Sequence, residues 1–200
     1  MKGTYSNRLL ALARTGRLLR PRDVEAKGIP RDYLSRLVQR GYLARVGRGL
    51  YTLAEHPATE HHSLALVAKH FPKGTICLLS ALRFHELTTQ QPHEVWMALP
   101  QNVWRPTSLP ISCRFVRFSG AALTEGVKIH RIEGVSIRIY TAAKTVADCF
   151  KYRHKIGLDV AIEALRDALR QKKSTIDEIY KYAQICRVAK IMRPYLESVV

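Results

Sequence analysis

The chain has 200 residues, 46% of them hydrophobic, enough to build a real core and too apolar for a disordered polypeptide. No uninterrupted apolar run approaches the roughly 18 residues a membrane span needs, and the opening MKGTYSNRLL holds no long apolar segment to serve as a signal peptide. The sequence therefore reads as soluble and cytoplasmic. Against 16 Asp/Glu stand 33 Lys/Arg, a formal charge of +17 whose self-repulsion calls for a polyanionic partner.

That charge is uneven. Residues 1–53 hold twelve Lys/Arg and three Asp/Glu, leaving +9 of the +17 on about a quarter of the chain. Within this stretch YSNRLLALAR (5–14) places Leu9, Leu10, Leu12 and Ala13 at helical spacing. A short second helix follows from Pro21, with Asp23 and Glu25 near its positive end and Gly28 stopping it. Pro30 then opens RDYLSRLVQRG, where Leu34, Leu37 and Val38 share one face and Gly41 ends the pattern. The opposite face of this third helix centres on Asp32, Arg36 and Gln39, flanked by Ser35 and Arg40, with Arg31 near the start.

Two strands are expected next, at 42–46 and 50–53, joined through Gly47-Arg48-Gly49. Helix, helix, turn, helix, hairpin is the order of a winged helix-turn-helix, with the third helix as reader and the hairpin as wing. The AEHPA segment at 54–58 has the polarity and proline of a linker, so the chain divides into a DNA-binding domain at 1–54 and a second domain at 59–200.

The second part begins with a helix at TEHHSLALVAKHF, a strand at GTICLL and a helix at SALRFHEL, which Ser80 is placed to N-cap. Strands are expected near 94–100, at 111–118, at 127–132 and at 135–140. The last two are separated only by Glu133-Gly134, a two-residue hairpin signature. From Thr141 the chain reads as helices: TAAKTVADCFKYR, LDVAIEALRDALR, STIDEIYKYAQICR with Ser174 and Asp177 as a capping box, and a last segment at 188–198 around Pro194. The fold class is α+β: an N-terminal winged helix-turn-helix, then a mixed α/β domain with a helical C-terminal end.

Charge favours DNA binding over a structural three-helix module, because Arg31, Arg36, Arg40, Arg45 and Arg48 cluster on the third helix and hairpin. Arg36 and Gln39 suit base edges, Arg with guanine and Gln with adenine. Ser35 and Arg40 suit phosphates, Arg48 a phosphate or the adjacent minor groove, and Arg45 emerges from the first strand of the wing. His56, His61, His62 and His70 lack the spacing of a metal site, and Cys77, Cys113, Cys149 and Cys186 read as reduced, small apolar residues. No nucleophile elbow, phosphate-cradling loop or carboxylate cluster is present, so neither an enzyme nor a cofactor or metal site is expected; the alternatives are a plain winged-helix regulator without a toxin partner and a DNA-targeted nuclease or nucleotidyltransferase. Lys144 and Asp148 stand one helical turn apart and read as an i,i+4 ion pair in the weaker order.

The segments GIPRDYLSRLVQRGYLARVGRGLYTL, SALRFHELTTQ (80–90), VWMALP and IYTAAKTVADCFKYRHKIGLDVAIEALRDAL together resemble the AbiEi antitoxins of bacterial type IV toxin-antitoxin systems. The resemblance implies a winged helix that binds inverted repeats in its own promoter, as a dimer or as two monomers placed by the DNA. It also implies a C-terminal domain that opposes a nucleotidyltransferase-like toxin without a stable complex. Lys144, Thr145, Asp148 and the 157–169 helix match the family pattern; with Lys151 and Arg153 they are the candidates for antitoxin function, a core role fitting Thr145 and Cys149 better.

Overall fold

The computed structural model describes residues 2–15, 18–54, 61–101, 103 and 111–199. Three helices, α1 (Lys2–Arg14), α2 (Pro21–Glu25) and α3 (Asp32–Gln39), precede a hairpin of β1 (Leu43–Gly47) and β2 (Leu50–Leu53). The order is the expected one, with α1 starting three residues earlier and β1 one residue later than the sequence suggested. Leu9, Val24, Ile29, Leu34, Leu37 and Leu43 form the centre of this module; burying each such side chain contributes about 1.5–3 kcal/mol. Between α1 and α2, Leu19 exchanges both backbone hydrogen bonds with Tyr51 of β2, at 2.8 and 3.0 Å, adding a third strand position to the wing.

The passage from α3 into the wing depends on Gly41, whose φ of +73° lets Tyr42 N–H reach Leu37 C=O and its own N–H reach Val38 C=O, both at 3.0 Å. This closes the orphan carbonyls at the helix end and turns the chain sharply. The hairpin pairs Leu43 with Leu53 and Arg45 with Tyr51, then slips register so that Gly47 faces Leu50, leaving Arg48 and Gly49 at the tip.

Beyond residue 61 a mixed five-stranded sheet runs in the order β5-β4-β3-β7-β6, with β3 (Thr75–Ile76) at its centre. β4 (Val95–Leu99) is antiparallel to β3 and parallel to β5 (Cys113–Arg117). On the other side β7 (Val135–Tyr140) is parallel to β3 and forms a hairpin with β6 (Val127–Ile132). That hairpin pairs Ile132 with Val135 across Glu133-Gly134, as expected, both turn residues having positive φ.

All five residues of β4 are buried because helices cover both sheet faces. α4 (His62–His70) packs on one, against Val95, Met97, Leu99, Ile137 and Ile139. On the other lie α5 (Leu78–Phe84), α7 (Ala142–Lys151), α9 (Leu158–Arg170), α10 (Ile176–Ile185) and α11 (Ala189–Glu197), around Trp96, Ala98, Tyr140, Val146 and Phe150. Two single-turn helices, α6 (Ala121–Thr124) and α8 (Arg153–Ile156), complete the chain, and α11 continues through Pro194. The helices and strands together make the α+β architecture read from the sequence.

Three local expectations need correction. The GTICLL strand is only two residues long, because α5 already begins at Leu78. Ser80 consequently does not cap α5. It is buried inside it, accepting from Trp96 N–H at 2.9 Å and donating to Glu94 C=O, and so ties the helix to β4. The capping box lies one residue further on than Ser174/Asp177: Thr175 Oγ1 accepts from Glu178 N–H while the Glu178 carboxylate accepts from Thr175 N–H. Glu at the third helical position reaches back where the shorter Asp cannot.

The expected linker falls mostly at residues 55–58, outside the described residues. What the structure adds is a shared core: Leu18 and Leu50 of the winged helix belong to the cluster built on α4 and the sheet. Lys69 of α4 also donates to Leu18 C=O and to the Asp23 carboxylate, both at 2.8 Å. The winged helix is thus clamped to the larger part by two buried leucines and one half-buried cation.

Candidate nucleic-acid interface

α3 buries Leu34 and Leu37 against α1 and turns Arg31, Asp32, Ser35, Arg36, Gln39 and Arg40 to solvent. Its 3.6-residue repeat makes both facts one: the apolar positions fix the inner face, and everything a half-turn away must face out. Arg45 and Arg48 are exposed on the wing, so all seven residues singled out for DNA contact lie on accessible surface.

Their local geometry is not uniform. Arg36 is held by Asp32 at 2.7 Å and lies over the Tyr33 ring at 5.0 Å from its centroid. Tyr33 in turn meets the Tyr5 ring edge-on at 5.5 Å, so the guanidinium rests on a small aromatic shelf. Sequence reasoning left out this tether, although the i,i+4 spacing of Asp32 and Arg36 announces it. Arg45 bends back, its Nε donating to Gly47 C=O at 3.3 Å. Further back, Arg8 of α1 donates to Lys27 C=O at 2.9 Å and fixes α1 to the turn that leads into α3.

The C-terminal candidates are arranged differently. Lys144, Thr145 and Asp148 are fully buried on α7. Lys144 Nζ lies 2.6 Å from both Asp148 carboxylate oxygens, with the Tyr140 and Phe118 rings at 4.3 and 4.9 Å and the Cys186 thiol donating to Asp148 at 3.2 Å. Burial pushes the Asp148 carboxyl above its ordinary range, while the Lys144 charge and the hydrogen bonds from Lys144 and Cys186 oppose that rise. The sequence reading of an ordinary i,i+4 pair was right about the partner and missed the burial. Thr145 Oγ1 donates to Tyr140 C=O, Arg153 to Phe150 C=O at 3.0 Å, and Lys151 is exposed.

Cys77, Cys149 and Cys186 are buried and Cys113 half-buried, all as free thiols. Burial pushes their pKa values up, that of Cys186 to about 12, which suits inert packing groups. Of the histidines weighed for a metal, His62 pairs with Glu133 at 2.8 Å and His70 meets Leu66 C=O, while His56 lies outside the described residues. Among the described residues no three His, Cys, Asp or Glu side chains come together as a metal site, and no helix is long and apolar enough to cross a membrane.

The architecture is not confined to this chain. The crystal structure of the RV2827C protein from Mycobacterium tuberculosis is similar over 90% of this chain and 71% of that one, with a TM-score of 0.62 at 15% identity, a likeness of fold. No curated protein matches the sequence. Residues 7–54, which contain α2, α3 and both strands of the wing, match the family model described as "Transcriptional regulator, AbiEi antitoxin", a similarity that spans about a quarter of the chain.

Proposed function

We propose that the protein is a sequence-specific repressor of its own operon and an antitoxin that opposes a nucleotidyltransferase-like toxin without a stable complex. The observation that carries this reading is the solvent-facing basic surface of α3 and the wing within the segment that matches the AbiEi regulators. Residues 1–54 are the DNA-binding domain and residues 59–200 the antitoxin domain. Arg36 and Gln39 read base edges in the major groove; Arg31, Ser35 and Arg40 set the register on phosphates; Arg45 and Arg48 follow the backbone beside it. Two copies occupy an inverted repeat, each placing one α3 in a half-site about one helical turn from the other.

The test is binding of the full chain to duplex from immediately upstream of its own reading frame, against the same duplex with the repeats scrambled. Preference for the intact repeats is expected, and equal affinity for both would sink the repressor reading. Co-expression with the nucleotidyltransferase-like product of the neighbouring reading frame tests the antitoxin half through restored growth. At the wing, Arg48→Ala is expected to weaken promoter binding by about 1–2 kcal/mol with little change in sequence preference, because a phosphate contact is blind to sequence. Electrophoretic mobility shifts at near-physiological salt measure both quantities.

A further inference from the structure

A cavity of about 510 Å³ opens where the β6–β7 hairpin, the start of α7 and α10 meet, remote in sequence from the DNA-binding residues. Its wall brings together side chains from four separate segments: His85 after α5, Lys128 and His130 on β6, Lys173 before α10, and Lys181 and Tyr182 on α10. The volume lies within the range of small-molecule sites, and the cations converge on a concave surface rather than scatter over a convex one. Among the described residues neither Lys128 nor Lys181 has an ion-pair partner, and the Lys181 ammonium lies 5.8 Å from the centroid of the Tyr182 ring. Lys173 is shared with Glu86 at 3.0 Å. The carboxylate in the wall, Glu178, already accepts from Thr175 N–H in the capping box.

Further features of the wall bear on its ligand. The cavity sits at the positive end of the ten-residue α7, where Ala142 and Ala143 line it. Thr141 N–H goes to Gly126 C=O at 2.7 Å and Thr141 Oγ1 receives Lys144 N–H, so the amides of Ala142 and Ala143 are the ones that no intrahelical carbonyl can reach. His130 Nε2 is a buried atom without a hydrogen-bond partner. His85 Nε2 donates to Tyr140 C=O at 2.7 Å, and burial lowers the pKa of this ring, so its Nδ1 carries a lone pair and adds no donor for an anion. The wall is also firmly built: at Gly126 (φ +73°) an added Cβ would stand 2.8 Å from Lys144 Cβ and 3.0 Å from the Tyr182 ring, so hairpin, α7 and α10 are in direct contact behind the cavity.

We propose that this cavity binds a phosphate-bearing small molecule of nucleotide size, with its phosphate at the α7 N-terminus between Lys128 and Lys181. Charged oxygens there accept from the free first-turn amides and from the Lys128 and Lys181 ammonium groups, and the Tyr182 ring and the alanine methyls border the uncharged remainder. The site is independent of the winged helix, so it stands or falls apart from DNA recognition.

Calorimetric titration of the full chain with inorganic phosphate, ATP and adenosine tests this in the absence of DNA. Saturable one-site binding of ATP, weaker binding of phosphate and no binding of adenosine are expected. Lys128→Glu with Lys181→Glu, both at exposed positions, should weaken ATP at least tenfold, whereas the equal charge change Arg45→Glu with Arg48→Glu on the wing should leave it unchanged. Equal losses in the two pairs would mean diffuse attraction to a chain of charge +17 and overturn the site, as would adenosine binding as well as ATP or an absence of saturable binding. Phosphate binding as tightly as ATP would overturn the nucleotide-sized ligand. Melting curves of both variant pairs check that each is folded.

Discussion

Asp148→Ala lowers the stability of the folded chain by about 3–5 kcal/mol, because it leaves the Lys144 ammonium buried without its anion. For a domain of this size that is a fall in Tm of roughly 10 °C, readable by thermal melting followed by circular dichroism. Lys144→Ala has an effect of the same order. The double replacement Lys144→Met with Asp148→Leu restores most of the loss, since two apolar side chains of similar volume fill the space among Tyr140, Phe118 and Cys186 with no charge to desolvate. If Asp148→Ala melts like the parent, the pair is not buried as the structure has it.

The double variant also separates a structural role from an antitoxin one. Both residues lie beneath the surface of α7, so a toxin or substrate does not reach them without the helix moving. A stable double variant that still restores growth beside the toxin assigns Lys144 and Asp148 to the fold; a stable one that fails assigns them to neutralisation.

On DNA, Arg36→Ala and Gln39→Ala are each expected to reduce discrimination against altered half-sites by about 1–3 kcal/mol, since each removes the bidentate base contact proposed for it. The salt dependence should change little for Gln39→Ala, because the slope of log K on log salt follows neutralised phosphates at about −0.9 each. Asp32 sharpens the prediction. It holds Arg36 at 2.7 Å and is itself exposed on the same face of α3, so on the proposed reading the guanidinium exchanges a carboxylate for a base edge on binding. Asp32→Asn frees Arg36 and removes a repelling charge, and should tighten binding to intact and scrambled duplex alike. Fluorescence anisotropy with both duplexes at several salt concentrations follows all three variants, and unchanged affinity and preference in Arg36→Ala and Gln39→Ala would remove α3 from the reader role.

Much of the winged helix was legible because its information is local. Leu34 and Leu37 at helical spacing dictate which face of α3 is buried, Gly41 ends the helix through a conformation few other residues take easily, and alternation in VKIHRI and VSIRIY with Glu-Gly between them specifies the β6–β7 hairpin. The errors occurred where two nearby residues could fill one local role. Ser80 and Cys77 compete for the start of α5, Ser174 and Thr175 for the start of α10, and the winner depends on what the strand or the preceding loop offers each side chain.

From sequence alone followed the order of elements, the amphipathic faces and the basic surface of α3 and the wing, since backbone periodicity and charge need no distant partner. Only the tertiary structure decided that Lys144 and Asp148 are a core pair and not a surface one, because their four-residue spacing is the same in either case and burial comes from α10, α11 and the sheet closing over α7. It alone placed Leu18 and Leu50 in the core of the larger part and drew His85, Lys128, His130 and Lys181 from three distant segments to one cavity. Periodicity is a property of a few consecutive residues, whereas burial and convergence arise from long-range packing that no single segment encodes.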